Sequence, residues 1–184
     1  AEMTRIGLPV PFGFTITTQA CNAYYESSKT IPIEVEQQTL EALSRLEEKM
    51  GKKLGDTENP LLVSVRSGSV FSMPGMMDTI LNLGMNDETV AGLATLTNNP
   101  RFAYDSYRRF IQMFSNVVLE IDTFYFEQYL EETREQKGYS TDPEMSAEDW
   151  QEVISGYKAI VKKHTRKNFP QDPKQQLFLA INAV

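Results

Sequence analysis

Residues 61–86, with the sequence LLVSVRSGSVFSMPGMMDTILNLGMN, predict the centre of the fold. The stretch opens with the apolar run 61–65, whose length and β-branched residues are typical of a buried strand, and Arg66 stands at its end. Further on, residues 78–83 alternate between polar and apolar, with one slip at Ile80 and Leu81, as in a half-buried strand. The sequence therefore predicts two strands joined by a long loop.

The loop between these strands is rich in glycine and serine. Glycine lets the backbone come close to a ligand and point its N–H groups at an anion, and serine hydroxyls add further donors. Arg66 supplies a planar fork that matches phosphate oxygens. The loop is neither a Walker A motif nor GxGxxG. These residues fit a phosphate-binding loop, and they fit an ordinary β-hairpin with a long turn equally well.

The same stretch resembles the nucleotide-binding domain of the pyruvate, phosphate dikinase family. The resemblance is carried by SVRSG at 64–68 and by SMPGMMDTILNLG at 72–84. It continues through NPRFAYDSYRRF at 99–110 and reaches back to GLPVP at 7–11 and GF at 13–14. Motifs this long and specific do not arise readily by chance. The related phosphoenolpyruvate synthases share the strand and its arginine but not the MPGMMDT loop.

The resemblance implies that the loop binds ATP. In the family the arginine that matches Arg66 contacts the ATP phosphates, and the loop that matches residues 68–79 folds over them. The residues expected to bind ATP are Arg66, Ser67, Gly68, Ser72, Met73, Gly75, Met76, Met77, Asp78, Thr79 and Arg109. The loop methionines either anchor the loop into a small core or pack near the adenine. Without the resemblance, Arg66 would be read as an arginine paired to a surface carboxylate.

Three arginines of the second matching motif are further candidates. Arg109 is placed by the resemblance to bind phosphate or to steady the loop. Arg101 and Arg108 are spaced to share one helical face, with Asp105 between them as an ion-pair partner. The alternative interpretation of all three arginines is an exposed, salt-bridged stripe.

The first part of the chain, residues 1–86, predicts a small α/β lobe. Residues 14–17 alternate as a strand would, and a short helix follows to about residue 27, capped by Thr17 or Thr18. Residues 33–50 predict a longer amphipathic helix that Gly51 ends in the left-handed conformation. Cys21, with no histidine nearby, is expected to be a buried structural thiol.

Residues 87–171 predict an all-helical subdomain. Helix starts are indicated at Asp87, at Asn99 followed by proline, at Asp122, and at the capping box of Ser146. Residues 172–184 predict a last helix that returns toward the first lobe, with Leu177, Ile181 and Val184 inward. The predicted fold class is therefore α+β, and the resemblance implies an ATP-grasp-like domain.

Composition narrows the class of protein. A net charge of −7 argues against a nucleic-acid binder, whose surface would be basic. No run approaches the ~18 apolar residues of a membrane span, and the start AEMTR lacks the layout of a signal peptide. The single cysteine permits no internal disulfide and fits a reducing compartment. We therefore expect a cytoplasmic protein that binds neither nucleic acid nor membrane.

The catalytic groups of the family are expected elsewhere. His164 lies in KKHTRK at 162–167, near a helix end where cations complement the helix dipole. The resemblance places the phosphorylated histidine in a different motif on a separate domain, so no catalytic residue is assigned here. Asp78 and Asp87 do not define a cation cage. The resemblance implies that the Mg²⁺ ligands, and a lysine that reaches the phosphates, lie outside this chain.

The resemblance implies part of the ATP-binding domain of a pyruvate, phosphate dikinase. Such a phosphotransferase uses ATP and phosphate to convert pyruvate to phosphoenolpyruvate, with AMP and pyrophosphate, through a phosphohistidine on another domain of its chain. It is expected to be a homodimer. Because the chain lacks an initiator methionine and the family's enzymes are several times longer, we expect a fragment that is inactive alone. The alternatives are a related dikinase, such as a phosphoenolpyruvate synthase, and a non-catalytic docking module.

Overall fold

The computed structural model describes residues 2–68 and 78–184. The chain forms two compact units, Ala1–Lys53 and Leu54–Val184. Long helices occur together with two small, two-stranded sheets, which confirms the predicted mixed α+β class. Within the described ranges, no helix has the length and apolar character needed to cross a membrane. The domain limits at residues 86 and 171 stay a prediction.

The first unit is helical. It contains α1 (Glu2–Arg5), α2 (Thr18–Glu26) and α3 (Ile33–Met50). As predicted, Gly51 ends α3 in the left-handed region, with a φ of 61°. Only Thr39 and Leu43 of α3 are buried, although the helix is amphipathic. This unit therefore buries little of its apolar surface.

Two predictions for the first unit are wrong. The alternating run 14–17 is not a strand, because the described part of this unit offers it no strand to pair with. Cys21 is exposed rather than buried. Thr17 does stand at the N-cap of α2, but its side chain makes no capping hydrogen bond and donates instead to the side-chain oxygen of Gln19.

The second unit begins with short strands. β1 (Lys53–Leu54) pairs with β2 (Pro60–Leu61), and β3 (Val63–Arg66) pairs with β4 (Thr79–Leu83). The single strand predicted at 61–65 is therefore divided at Leu62. The reason is that its two ends hydrogen-bond to different partners, one before it and one after it in the chain.

The slip in the alternation of the second strand is a β-bulge. The hairpin is antiparallel, and its paired residues are Val63 with Leu83, Val65 with Ile80, and Arg66 with Thr79. The register therefore shifts between the first two pairs, and Asn82 lies there with a φ of 60°. The extra residue lets both Ile80 and Leu83 face the core, while Leu81 is 42% exposed.

Helices make up the rest of the second unit. They are α4 (Asp87–Thr97), α5 (Pro100–Val117), α6 (Thr123–Lys137), α7 (Ala147–Thr165) and α8 (Pro173–Ala183), with a 3-10 turn at Asp142–Glu144. The helix starts predicted at Asn99, Asp122 and Ser146 are confirmed, since their side-chain oxygens accept backbone N–H groups of their own helices, and Asp172 caps α8 in the same way.

The core of this unit is built around α5. This helix packs against α4, α7 and β4, so the hairpin rests on the most buried helix of the protein. Phe110 and Phe114 of α5 meet the ring of Phe169 edge-on, at centroid distances of 5.8 and 5.5 Å. Val184 is 39% exposed, so its predicted inward orientation is wrong, because α8 has ended before it.

Candidate functional site

Arg66 lies where the β3–β4 hairpin opens into its loop. It is the last residue of β3, it is exposed, and its backbone pairs with Thr79. Among the residues that the structure describes, its side chain has no hydrogen-bond or ion-pair partner. The loop residues 69–77 contain no carboxylate. Within the described residues, the structure therefore shows no carboxylate paired with this guanidinium, and the role of Arg66 in binding phosphate stays a prediction.

The two ends of the loop are held together at the same place. The Ser67 N–H donates to the backbone oxygen of Asp78 at 3.1 Å, and the Ser67 hydroxyl lies 3.5 Å from that oxygen. Gly68 and Asp78 are exposed. The hairpin thus brings five of the expected ATP-binding residues to one edge. Ser72, Met73, Gly75, Met76 and Met77 lie outside the described residues, and their role stays a prediction.

Arg109 is exposed but already has an anionic partner. Its Nε donates to both carboxylate oxygens of Asp105, each at 3.2 Å, and its side chain is 64% exposed. An ion pair this exposed contributes little stability, so solvent or a ligand exchanges with it at small cost. The phosphate role predicted for Arg109 stays a prediction.

The other two arginines of the motif are structural, so the exposed stripe is wrong for them. Arg101 donates to the backbone oxygens of Met145 at 2.8 Å and Asp142 at 2.7 Å. Arg108 is buried, and its Nη2 lies 2.6 Å from Asp105 and 3.2 Å from a carboxylate oxygen of Asp142. Its guanidinium also covers the ring of Trp150, 4.5 Å from the ring centre. These contacts tie α5 to the turn before α7.

His164 lies at the exposed end of α7. Its ring centre is 4.4 Å from that of Tyr125, and Lys162 and Lys163 share the last turn of the helix. In residues 2–68 and 78–184, no three histidine, cysteine or acidic side chains come together as a metal site would require. The described residues therefore do not form a cage for Mg²⁺.

A polar cluster at the start of α4 was not predicted from the sequence. The Tyr107 hydroxyl donates to Asp87 at 3.0 Å and accepts from Gln171 at 3.2 Å, and the Lys158 ammonium pairs with the same Asp87 oxygen. Burial raises the pKa of Tyr107 above its ordinary value, so the phenol stays protonated and donates. The cluster joins the start of α4 to α5, α7 and the segment before α8.

Gln176 of α8 is a further polar residue that the sequence analysis missed. It is fully buried and bonded to the backbone just after β4. A signal was present, because Gln176 lies next to Leu177 and one turn before Ala180, on the face that the apolar residues predict to be buried. A glutamine on such a face indicates a buried amide that needs partners.

Comparison with known proteins confirms the resemblance seen in the motifs, although no family model matches the chain. The chain is 55% identical over its whole length to pyruvate, phosphate dikinase of Clostridium symbiosum, of which it covers 21%. It is likewise 55% identical to pyruvate, phosphate dikinase of Giardia intestinalis, with 21% covered. It is 49% identical to pyruvate, phosphate dikinase 1, chloroplastic, of Zea mays, with 19% covered. The chain therefore spans about a fifth of the length of these curated relatives.

Proposed function

We propose that this chain is part of the ATP-binding domain of a pyruvate, phosphate dikinase. The complete enzyme would convert pyruvate, ATP and phosphate to phosphoenolpyruvate, AMP and pyrophosphate through a phosphohistidine on another domain. The observation that carries the proposal is Arg66, an exposed arginine with no ion-pair partner among the described residues, at the mouth of a glycine- and serine-rich loop. The similarity over the whole chain supports it, because the relatives carry that activity in their names.

The contribution of this segment would be electrostatic. Pyrophosphoryl transfer moves negative charge along the phosphates, and fixed positive groups stabilise that charge as the transition state forms. The Arg66 fork would neutralise phosphate oxygens, while the Gly68 N–H and the Thr79 hydroxyl would donate to others. Arg109 would add a second cation from α5. The remaining loop residues would close over the nucleotide.

This segment would form one wall of the nucleotide site. We propose that the wall belongs to an ATP-grasp-like domain, in which two lobes clamp ATP between them. The described residues hold no Mg²⁺ cage, so the metal ligands would come from the other lobe. The proposed partners of the complete protein are ATP, pyruvate, phosphate, its own phosphohistidine domain and a second copy of the chain.

The test is ATP binding by the full-length protein, measured by calorimetry in the presence of Mg²⁺. We expect Arg66→Ala to weaken binding by roughly 1.5–3 kcal/mol, the range for a hydrogen bond to a charged group. The ATP affinity of Arg66→Lys should lie between those of Arg66→Ala and the unaltered protein, because lysine keeps the charge and loses the planar fork. Arg166→Ala, at an exposed arginine after α7, is the matched control and should bind as the unaltered protein does.

Equal binding by the unaltered protein and Arg66→Ala would reject the proposed site. Two further observations separate the alternatives. A related phosphoenolpyruvate synthase would turn over without added phosphate, whereas a pyruvate, phosphate dikinase requires it. A non-catalytic docking module would show no heat of ATP binding in any of these variants.

A further inference from the structure

The base of the β3–β4 hairpin is held by one buried side chain, Gln176 of α8. None of its surface is exposed. Its amide oxygen accepts the Gly84 N–H at 3.0 Å, and its amide nitrogen donates to the backbone oxygens of Met85 at 2.9 Å and Pro170 at 2.8 Å. Both amide hydrogens and the oxygen are therefore used. One side chain joins the end of β4 to the start of α8.

Two neighbouring side chains extend this connection. Asn86 donates from its amide to the backbone oxygen of Gln171 at 2.9 Å, and Gln171 accepts the Asp87 N–H at 3.0 Å. The amide oxygen of Asn86 also caps α4 by accepting the N–H groups of its first turn. We call this arrangement, residues 84–87 with residues 170–176, the β4 clasp. It fixes the chain at the point where it leaves the hairpin.

The hairpin depends on support of this kind because it is small. Three residue pairs and one closing hydrogen bond join β3 to β4, and a two-stranded ribbon of this size is marginally stable by itself. Arg66 stands at the loop end, while Gly84 follows the last pair at the base. A rotation at the base would therefore displace the guanidinium, and the displacement would grow with the length of the hairpin.

The backbone at the base is also packed too closely to move freely. Gly84 has a φ of +104°, and a Cβ built on it would lie 2.8 Å from the Leu54 side chain and 3.0 Å from the backbone oxygen of Leu61. Only glycine adopts this conformation at low cost in so little space. Gln176 satisfies the one N–H that this close approach would otherwise bury without a partner.

We propose that Gln176 is a positioning residue for ATP: through the β4 clasp it sets the direction in which the hairpin presents Arg66 to the phosphates. This inference rests on the proposed function of the loop. Gln176 is fully buried, so it would not touch the nucleotide itself. Its contribution is geometric, because a charge-assisted hydrogen bond from a guanidinium to phosphate weakens steeply with misalignment.

The test is a double-mutant cycle of Arg66→Ala and Gln176→Met in the full-length protein, with the ATP dissociation constant measured in the presence of Mg²⁺. Methionine keeps the volume of glutamine and removes its hydrogen bonds. We expect Gln176→Met to raise the dissociation constant about tenfold, the factor for one lost charge-assisted contact. In the Arg66→Ala background the same change should add less than about twofold, because the group that Gln176 positions is gone.

Two controls separate positioning from general destabilisation. Gln175→Met changes the exposed neighbour on the same helix and should leave ATP binding unchanged. Val153→Ala creates a cavity at a buried residue of α7 and should lower stability without weakening ATP binding. If Gln176→Met fails to fold, Gln176→Glu takes its place, because it keeps the acceptor for the Gly84 N–H and loses donor capacity toward the two carbonyls.

Each outcome decides between the two proposals. Weaker binding by Arg66→Ala together with unchanged binding by Gln176→Met overturns the positioning role and leaves the proposed function standing. Equal effects of Gln176→Met in both backgrounds also overturn it, because Gln176 would then not act through Arg66. If Arg66→Ala has no effect, the proposed function fails, and the positioning role fails with it. The rate of hydrogen exchange at the Gly84 amide measures directly whether the clasp is formed. This rate should increase in Gln176→Met.

Discussion

Arg108 and Arg109 are neighbours in the chain and bind the same carboxylate, Asp105, in different surroundings. The Arg108 side chain is 7% exposed, and it has a second carboxylate partner and an aromatic ring beneath it. The Arg109 side chain is 64% exposed and pairs with Asp105. A buried charge that loses its partners is costly, whereas a surface pair is screened by solvent.

The two arginines therefore give a matched pair of stability measurements. We expect Arg108→Met to lower the free energy of unfolding by about 2 kcal/mol, because Asp105 and Asp142 lose their shared buried cation and keep only the more exposed Arg109 and Arg134. Arg109→Met should change it by less than about 0.5 kcal/mol. Urea unfolding followed by circular dichroism measures both. Equal losses would mean that the guanidinium of Arg108 is not anchored as described.

Among the secondary-structure elements, α6 and α7 are joined by an ionic contact at one end. Lys137, the last residue of α6, lies 2.8 Å from Asp149 and 2.7 Å from Glu152 of α7. Asp149 also accepts the Ser146 N–H at 2.8 Å, as the third residue of the capping box. The Lys137 ammonium, followed by the Ser146 N–H, lowers the pKa of Asp149 from 3.8 to about 2.

This lowered pKa predicts a pH dependence of stability. The unfolded chain binds a proton at Asp149 at a higher pH than the folded chain does, so the contribution of Asp149 is complete above pH 3.8 and is lost as the pH falls toward about 2. We expect Asp149→Asn to flatten the dependence of unfolding free energy on pH in that window. Glu152→Gln, which alters another partner of Lys137 without touching the cap, is the control. An unchanged slope in Asp149→Asn would contradict the assignment.

The contact of α4 with the loop before β2 depends on a glycine. A Cβ built on Gly92 would lie 1.6 Å from the backbone oxygen of Thr57. Backbone cannot yield as a flexible side chain can, so the helix or the loop would have to shift. Because residue 92 has no side chain, α4 can approach the segment that leads into the hairpin.

The substitution Gly92→Ala should therefore destabilise the protein despite the better helix propensity of alanine. We expect a loss of about 2 kcal/mol from the clash, in the range for overpacking. The control Ala91→Gly, at the exposed residue before it, reports helix propensity alone and should cost about 1 kcal/mol. Thermal unfolding of the two variants makes the comparison. A more stable Gly92→Ala variant would show that α4 and the Thr57 backbone are further apart than described above.

Across the whole molecule, burial is divided unequally between the two units. Among the residues that the structure describes, every buried hydrophobic side chain except that of Leu43 belongs to Leu54–Val184. Burial of apolar surface is the dominant favourable term in folding. The second unit therefore holds nearly all of the core, and the first unit has little core of its own.

This division predicts that the second unit folds alone. We expect a truncated chain of residues 54–184 to keep a cooperative thermal transition, with helical circular dichroism in proportion to α4–α8. Residues 1–53 expressed alone should show no cooperative transition, because they bury too little apolar surface to offset the entropy of ordering. Loss of cooperative unfolding in the 54–184 chain would contradict the division.

The sequence by itself determined the helix ends and the motif of the candidate site. The caps at Asn99, Asp122 and Ser146 could be read directly, because each side chain bonds to an N–H two or three residues further along. Gly51 marks the C-terminal end of α3 for an equally local reason, its left-handed backbone. The loop motif and Arg66 lie in one continuous stretch, so the resemblance they carry needed no structure.

The tertiary structure alone decided which polar groups are buried and what they hold. Arg108 meets Asp142 across 34 residues of chain, and Gln176 reaches Gly84 across 92. The bulge that turns both Ile80 and Leu83 inward is likewise set by pairing with β3 and packing on α5. The physical reason is the range of the interaction: caps and turns are satisfied within a few residues, whereas burial depends on partners that only the folded chain brings together.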